Sequence, residues 1–304
     1  MISFLLILLS ALFFVGIINK TKSKIAARKM PSVFQAVFDV IRLFKKGSIY
    51  STTTSVIFKI APIIYFSTVL MAILFVPIGS QKGLLSFDGD FVFFAYMLAL
   101  GKFMMIIAAM DTGSGFEGMG ANREALYSML VEPAFFILIG SMALFTNNIS
   151  FHDLYANLHI SSNLSYTISI VSIYILIYIA MVENSRMPID DPKTHLELTM
   201  VHEVMVLDNS GFDLGLIHIA TWLKFAIYGS LISDFIINTA WHWYYQLAAF
   251  IGIQIIFAML IGFLEAFRAR NKMEKNPQWL IMLSAIAVVV FLTTLIITNK
   301  IILN

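Results

Sequence analysis

Residues 166–181 read YTISIVSIYILIYIAM, and residues 182–203 continue VENSRMPIDDPKTHLELTMVHE. The first run has no charged side chain. The second holds seven, together with two histidines and two prolines. An apolar helix needs roughly 20 residues to cross about 30 Å of hydrocarbon, so the first run with its flanks reads as a membrane span. The second reads as the polar segment that the span delivers at one membrane face.

Seven more runs of the same kind lie on either side. Their approximate limits are 2–18, 55–76, 91–110, 126–145, 214–237, 244–264 and 279–298. The chain is therefore expected to be an all-α polytopic membrane protein with eight transmembrane helices, forming one membrane domain over residues 1–304. Composition agrees: 59% of the 304 residues are hydrophobic and 12% charged, about half the charged share of an ordinary soluble domain. Residues 2–18 have no Lys or Arg before them, and a basic cluster follows. A cleaved secretory signal has the opposite arrangement, so a retained first helix is expected. The net charge of +2 gives no reason to expect a nucleic-acid partner.

Cysteine is absent, which excludes thiolate-held iron–sulfur or NiFe centres on this chain. Histidine still allows haem. However, His195 and His202 are seven apart on one helical face, which aims both rings the same way without closing a site. Hydrogen-bonded histidines that relay protons are the expectation there.

Orientation follows from Lys and Arg. With the N-terminus outside, fifteen of the twenty fall in inner segments, two outside (Lys82 and Lys300) and three within spans. The positive-inside rule thus places both termini outside. After the first span, Val33, Val37, Val40, Ile41 and Phe44 recur at helical spacing, and Asp39, Arg42, Lys45 and Lys46 take other faces. This predicts an amphipathic inner-face helix over 31–46. It either anchors on anionic lipid or guards the entrance to a cavity between spans.

Eleven of the eighteen acidic residues fall in two inner stretches, 111–132 and 183–213. Both stretches begin or end inside spans. Glu132 sits within the run 129–135, otherwise apolar, and Glu183 closes a span. An ionised, unpaired carboxylate there costs several kcal/mol, so it is paired, protonated or beside a wet cavity. Two readings stand: a proton path, or a structural ion pair with Arg123 or Arg186. Lys102 and Lys224 lie mid-span and demand a carboxylate partner or an ion route, Lys224 being considered with Asp234. Lys59 is near a span end and snorkels. Glu265 and Arg268, at i and i+3, suggest a surface pair. The glycines of residues 113–120 precede no Gly-Lys-Ser/Thr, so a phosphate loop is excluded and a tightly turned inner loop is expected.

Three motifs carry a resemblance. Glu183-Asn184-Ser185-Arg186-x-Pro188-x-Asp190-Asp191-Pro192-x-Thr194-His195-Leu196-Glu197-Leu198-Thr199-Met200-x-His202-Glu203 is long and specific. Asp111-Thr112-Gly113-Ser114 leads through Gly118-Met119-Gly120 and Arg123-Glu124 to Glu132-Pro133, and Arg28-Lys29-x-Pro31-Ser32 precedes the amphipathic helix. Nearly the whole chain resembles formate hydrogenlyase subunit 4, of the superfamily that includes subunit 1 (the H-subunit) of respiratory complex I. The resemblance implies a non-catalytic membrane subunit of an energy-converting NiFe hydrogenase. It also implies partners: hydrogenase large and small (iron–sulfur) subunits that hold the NiFe centre and iron–sulfur clusters, and antiporter-like membrane subunits that move protons or sodium. Glu132 and Glu183 match the superfamily's buried glutamates between arm and membrane; Glu197 and Arg186 match its inner-loop charges.

The candidate ion path is thus Glu132, Glu183, Glu197, Glu203, Asp190, His195, His202 and Lys224, with Arg123, Arg186 and Asp111 as charge partners. Inner loops 111–125 and 183–213 form the expected docking region. Lys193 and His195 stand where the complex I version is rich in glutamate, so no quinone site is assigned. The alternatives are a quinone-binding subunit of a complex-I-like NADH dehydrogenase, a stand-alone cation antiporter and a haem-carrying anchor. The orientation has a direct check in this cysteine-free chain. Ser23→Cys should react with an impermeant maleimide from the cytoplasmic side only and Lys82→Cys from the opposite side only; the reverse pattern inverts the topology.

Overall fold

The computed structural model describes residues 2–158, 163–190 and 201–298. Among them are eleven α-helices and one 3₁₀ turn, Met273–Lys275. Eight helices are long and apolar enough to cross a membrane: α1 (Ile2–Ile25), α3 (Val56–Ile73), α4 (Asp90–Asp111), α5 (Gly115–Thr146), α7 (Asn163–Glu183), α9 (Gly211–Asp234), α10 (Trp243–Phe267) and α11 (Asn276–Ile297). Each corresponds to one expected span. The protein is an all-helical, multi-pass membrane protein. Helices α2 (Gln35–Phe44), α6 (Phe151–Leu158) and α8 (His202–Met205) are too short to span.

The eight spans alternate in direction, so α1, α4, α7 and α10 end where α3, α5, α9 and α11 begin. That end holds most of the lysines and arginines and is called the basic end below. At the centre stands α9, the most buried and the least apolar of the eight spans. These two facts have one cause. A helix surrounded by protein meets no lipid, so its polar groups can find partners; α9 accordingly carries His218, Lys224, Ser230, Ser233 and Asp234. It packs against α1, α2, α3, α7 and α10. The outer helices instead turn side chains such as Leu9, Phe103, Ile256 and Val289 outward.

Helix α2 confirms that the segment after the first span is amphipathic, although the helix starts at Gln35, later than expected. Val40 is buried, whereas Phe38 and Ile41 stay exposed. Phe44 fits over Gly215 of α9, where an added Cβ would come within 2.9 Å of its ring. Glycine thus lets the amphipathic helix dock directly on the central one.

Two stretches expected as loops are more ordered. The 111–125 segment turns tightly at Thr112–Ser114, with Gly113 at φ +72°, and is helical from Gly115. Arg123 and Glu124 therefore ride on α5, which extends to 32 residues. Its Gly120 makes room for this chain itself: a Cβ there would lie 2.8 Å from the Val201 carbonyl. After α7, Asn184, Ser185, Arg186, Ile189 and Asp190 are all buried, so this part of the 183–213 segment is tucked into the bundle and is not a solvated rim.

Overpacking at such a contact costs about 1–3 kcal/mol. Gly120→Leu is therefore expected to lower the melting midpoint in mild detergent, and Gly118→Leu, which meets nothing within 4 Å, to leave it nearly unchanged.

Candidate functional site

Four charged side chains from four spans meet inside the bundle. Lys102 of α4 places Nζ 2.9 Å from Glu124 Oε1 on α5 and 2.8 Å from Glu183 Oε1 at the end of α7. Glu183 Oε2 lies 2.9 Å from Lys224 Nζ on α9. The order is Glu124–Lys102–Glu183–Lys224, two cations and two anions. None of the four side chains is more than 9% exposed. In so dry a place each ion loses several kcal/mol of hydration, and only paired, hydrogen-bonded neighbours offset that loss.

Local structure explains the positions. A carboxylate at a helix C-terminus meets the negative end of the helix dipole. The Lys224 ammonium answers both, donating to the Glu183 side chain and, at 3.1 Å, to its main-chain oxygen. It also lies 5.8 Å from the centre of the Tyr65 ring. Close approach of α4 to α3 depends on Gly101, where a Cβ would collide with Thr68 and Tyr65.

Glu132 lies eight residues beyond Glu124 on α5, about 12 Å along the axis. It is exposed on the flank of the bundle and makes no hydrogen bond or ion pair with the described residues. Between it and the paired cluster is a cavity of about 50 Å³, lined by Lys102, Glu132, Glu183 and Tyr228 with apolar side chains of α4 and α5. That volume has room for one or two waters. On its outer side, Glu132 also borders an open groove between α4 and α5 walled by Tyr96, Leu100, Phe103 and Met129.

A second cavity, about 260 Å³, opens at the basic end between α1, α2, α8 and α9. Asp39, Val40 and Leu43 of α2 form one wall; Arg186, His202, Glu203 and His218 line the interior. Helix α2 thus forms one wall of this cavity, while Phe38 and Ile41 stay exposed on its other side. Asn184 on its wall directly follows Glu183, so this cavity reaches the sequence neighbour of the central carboxylate.

The remaining candidates divide. His202 and Glu203 belong to the second cavity. Burial, reinforced by Lys224, His218 and Lys102 and opposed by Glu124, depresses the His202 imidazole from 6.5 to about 4. It is neutral near pH 7, which corrects the expectation of a histidine titrating there. Asp190 is a brace: its carboxylate meets Arg270 at 2.8 Å and accepts from the main-chain N–H groups of Val201 and His202. Asp111 accepts from Ser55 N at 2.7 Å, at the start of α3. Neither joins the four-residue chain. His195 and Glu197 lie outside the described residues.

The expected arginine partners are replaced by lysines. Glu183 pairs with Lys102 and Lys224, whereas Arg186 turns to Glu265 at 3.4 Å and lies over the Phe225 ring. Arg123 is half-buried on α5, next to Glu124. Glu265 is not in a surface pair with Arg268; it is buried and also meets Lys22 of α1 at 2.7 Å. Asp234 accepts from Gly79 N, ten residues along α9 from Lys224, and takes no part in the cluster. Lys59 is exposed over Tyr50, as a snorkelling lysine would be. Glu124 and Lys102 were absent from the expected path. Glu124, Ser128 and Glu132 share one face of α5 at i, i+4 and i+8, which was the available signal.

The NADH dehydrogenase family pattern matches residues 1–298. The chain belongs to that family. Hydrogenase-4 component C of Escherichia coli strain K12 is 26% identical over 227 residues, 75% of this chain and 70% of that protein. Formate hydrogenlyase subunit 4 of the same strain is 30% identical over 118 residues, 39% of this chain and 38% of the relative. Among solved structures, one chain of the membrane-bound sulfane sulfur reductase, described as an archaeal respiratory membrane complex, shares the fold. Its TM-score is 0.80 at 18% identity, over 96% of this chain and 98% of that one.

Removing one member of a buried pair typically costs about 3–5 kcal/mol. Lys224→Met should lower the melting midpoint strongly, and the double variant Lys224→Met/Glu183→Gln should lower it less than the two single losses added together. Simple additivity in a double-mutant cycle would contradict this pairing.

Proposed function

We propose that this chain is the non-catalytic membrane subunit of a membrane-bound NiFe hydrogenase of the formate hydrogenlyase kind. In this reading it sits in the cell inner membrane with both termini outside. The basic end, with segments 111–125 and 183–213, docks hydrogenase large and small (iron–sulfur) subunits that hold the NiFe centre and iron–sulfur clusters. Antiporter-like membrane subunits stand beside it. The chain couples hydrogen chemistry to movement of protons or sodium through its internal carboxylates.

The observation that carries the proposal is the arrangement around Glu183. Its carboxylate is neutralised by two ammonium groups, with a cavity toward the basic end and a second, smaller one toward Glu132. A static scaffold needs neither. A carboxyl group facing hydrocarbon is expensive and is ordinarily turned toward a bundle interior or wet cavity. Glu132 instead stands on the flank, which supports a neighbouring membrane subunit covering it. Similarity to Hydrogenase-4 component C and formate hydrogenlyase subunit 4 supports the hydrogenase assignment.

The cavity beneath α2 favours one second reading, a quinone-binding subunit of a complex-I-like oxidoreductase. Photolabelling of α1, α2 or α9 by a quinone analogue, together with inhibition by it, would favour that reading over the first.

The test uses the assembled complex in sealed vesicles. Glu132→Gln and Glu183→Gln should each reduce ions moved per hydrogen evolved by about tenfold or more. Wild-type ion yield in both variants would remove the coupling role.

A further inference from the structure

The cavity between Glu132 and the paired cluster lies on a particular side of Lys102. Its α4 walls are Phe94, Ala95, Leu98 and Ala99, all N-terminal to the lysine. A helical side chain leans toward the N-terminus of its own helix, and for Lys102 that is the direction of this cavity. Glu132 is on α5, which runs the opposite way, so its side chain leans back toward the level of Lys102. The two groups are within electrostatic reach of one another. Ala95 and Ala99 keep the space between them open.

We infer that Lys102 is a movable cation, a pivot that exchanges Glu124 for Glu132 while holding Glu183. The inference rests on the coupling role proposed above and assigns a working part to two residues, Lys102 and Glu124, that the sequence did not place on the path. In the seat seen here, the ammonium bonds Glu124 and Glu183, and Glu132 has no cationic partner among the described residues. A monovalent cation, either a proton bonded to its carboxyl oxygen or a sodium ion, neutralises Glu132 in that state. In the other seat the ammonium has crossed the cavity and neutralises Glu132 itself. The displaced cation leaves through the groove between α4 and α5. Glu124 then takes up a cation from the basic end by way of His202, which lines the second cavity and lies within electrostatic reach of Glu124, to replace the lost ammonium. Charge balances in both seats, and no bond other than the carboxyl O–H is made or broken.

The geometry favours this over a fixed pair on two grounds. Lys224 already neutralises Glu183 and binds its main-chain oxygen, so Lys102 can slide without leaving Glu183 bare. Lys102 also borders both the inner cavity and the outer groove, the position a carrier between them needs.

Glu124 provides the discriminating variant, because it borders neither cavity and does not lie between Glu183 and Glu132. A water chain joining Glu183 to Glu132 directly has no use for it, whereas the pivot loses its inner seat without it. In the intact complex in sealed vesicles, Glu124→Gln is expected to lower ions moved per hydrogen by about tenfold, with Glu124→Asp restoring a substantial part. Wild-type yield in Glu124→Gln, alongside a lowered yield in Glu132→Gln, overturns the pivot and leaves the carboxylate path standing. Wild-type yield in Glu132→Gln overturns the pivot, and wild-type yield in Glu183→Gln as well overturns the carboxylate path with it. Should Glu124→Gln fail to assemble, Ala99→Leu serves instead: it removes no charge and fills the space the ammonium must cross. A lowered ion yield in that variant supports the pivot, and an unchanged yield overturns it.

Discussion

The pairing of charges at the centre of this protein follows from the scarcity of water around Glu183. Its carboxylate cannot stay ionised in a dry bundle without cations, and two lysines, Lys102 and Lys224, come from different spans to supply them. That requirement fixes the depth at which α4, α7 and α9 register against one another. It also explains why α9 is both the most buried and the least apolar of the spans. A helix that must present Lys224 to the interior cannot be sacrificed to lipid contact.

The same constraint orders the periphery. At the basic end, Glu265 gathers Lys22 and Arg186, and Asp190 joins Arg270 to the main chain at Val201 and His202. These contacts hold the segment after α7 inside the bundle, where it forms a wall of the larger cavity. Along the flank, Glu132 has no cationic partner among the described residues and borders a groove. Charged groups thus reach a side wall at Glu132 and one end at the larger cavity. Those are the two places where a subunit of a larger assembly would be joined.

Much of this was legible in the residues. The eight spans follow from runs such as 166–181, because hydrocarbon imposes a length and a composition that few sequences meet by chance. The amphipathic helix was visible from Val37, Val40 and Phe44, and Glu183 stood out as an acid closing an apolar run. What could not be read was the choice of partner. Arg186 is three residues from Glu183 in sequence, yet it turns to Glu265, because the chain bends back after α7. Lys102 and Lys224 were suspect as mid-span lysines, but which carboxylate each would meet depends on how three helices rotate about their axes. A Glu265–Arg268 pair was suggested by i, i+3 spacing and undone by the end of α10, where Arg268 leaves the helical conformation. His202 was expected to titrate near neutrality because sequence shows no burial; the cavity wall and nearby lysines keep it neutral.

The central claim is that Glu132 is joined to the Glu183 cluster through a hydrated gap and covered by a neighbouring subunit. A structure of the assembled complex in lipid, at a resolution that shows waters, tests it most directly. Ordered water or the Lys102 ammonium between Glu132 and Glu183, with a partner helix over the groove of α4 and α5, is the expected result. A dry gap, with Glu132 turned out to acyl chains or bulk solvent, would contradict it.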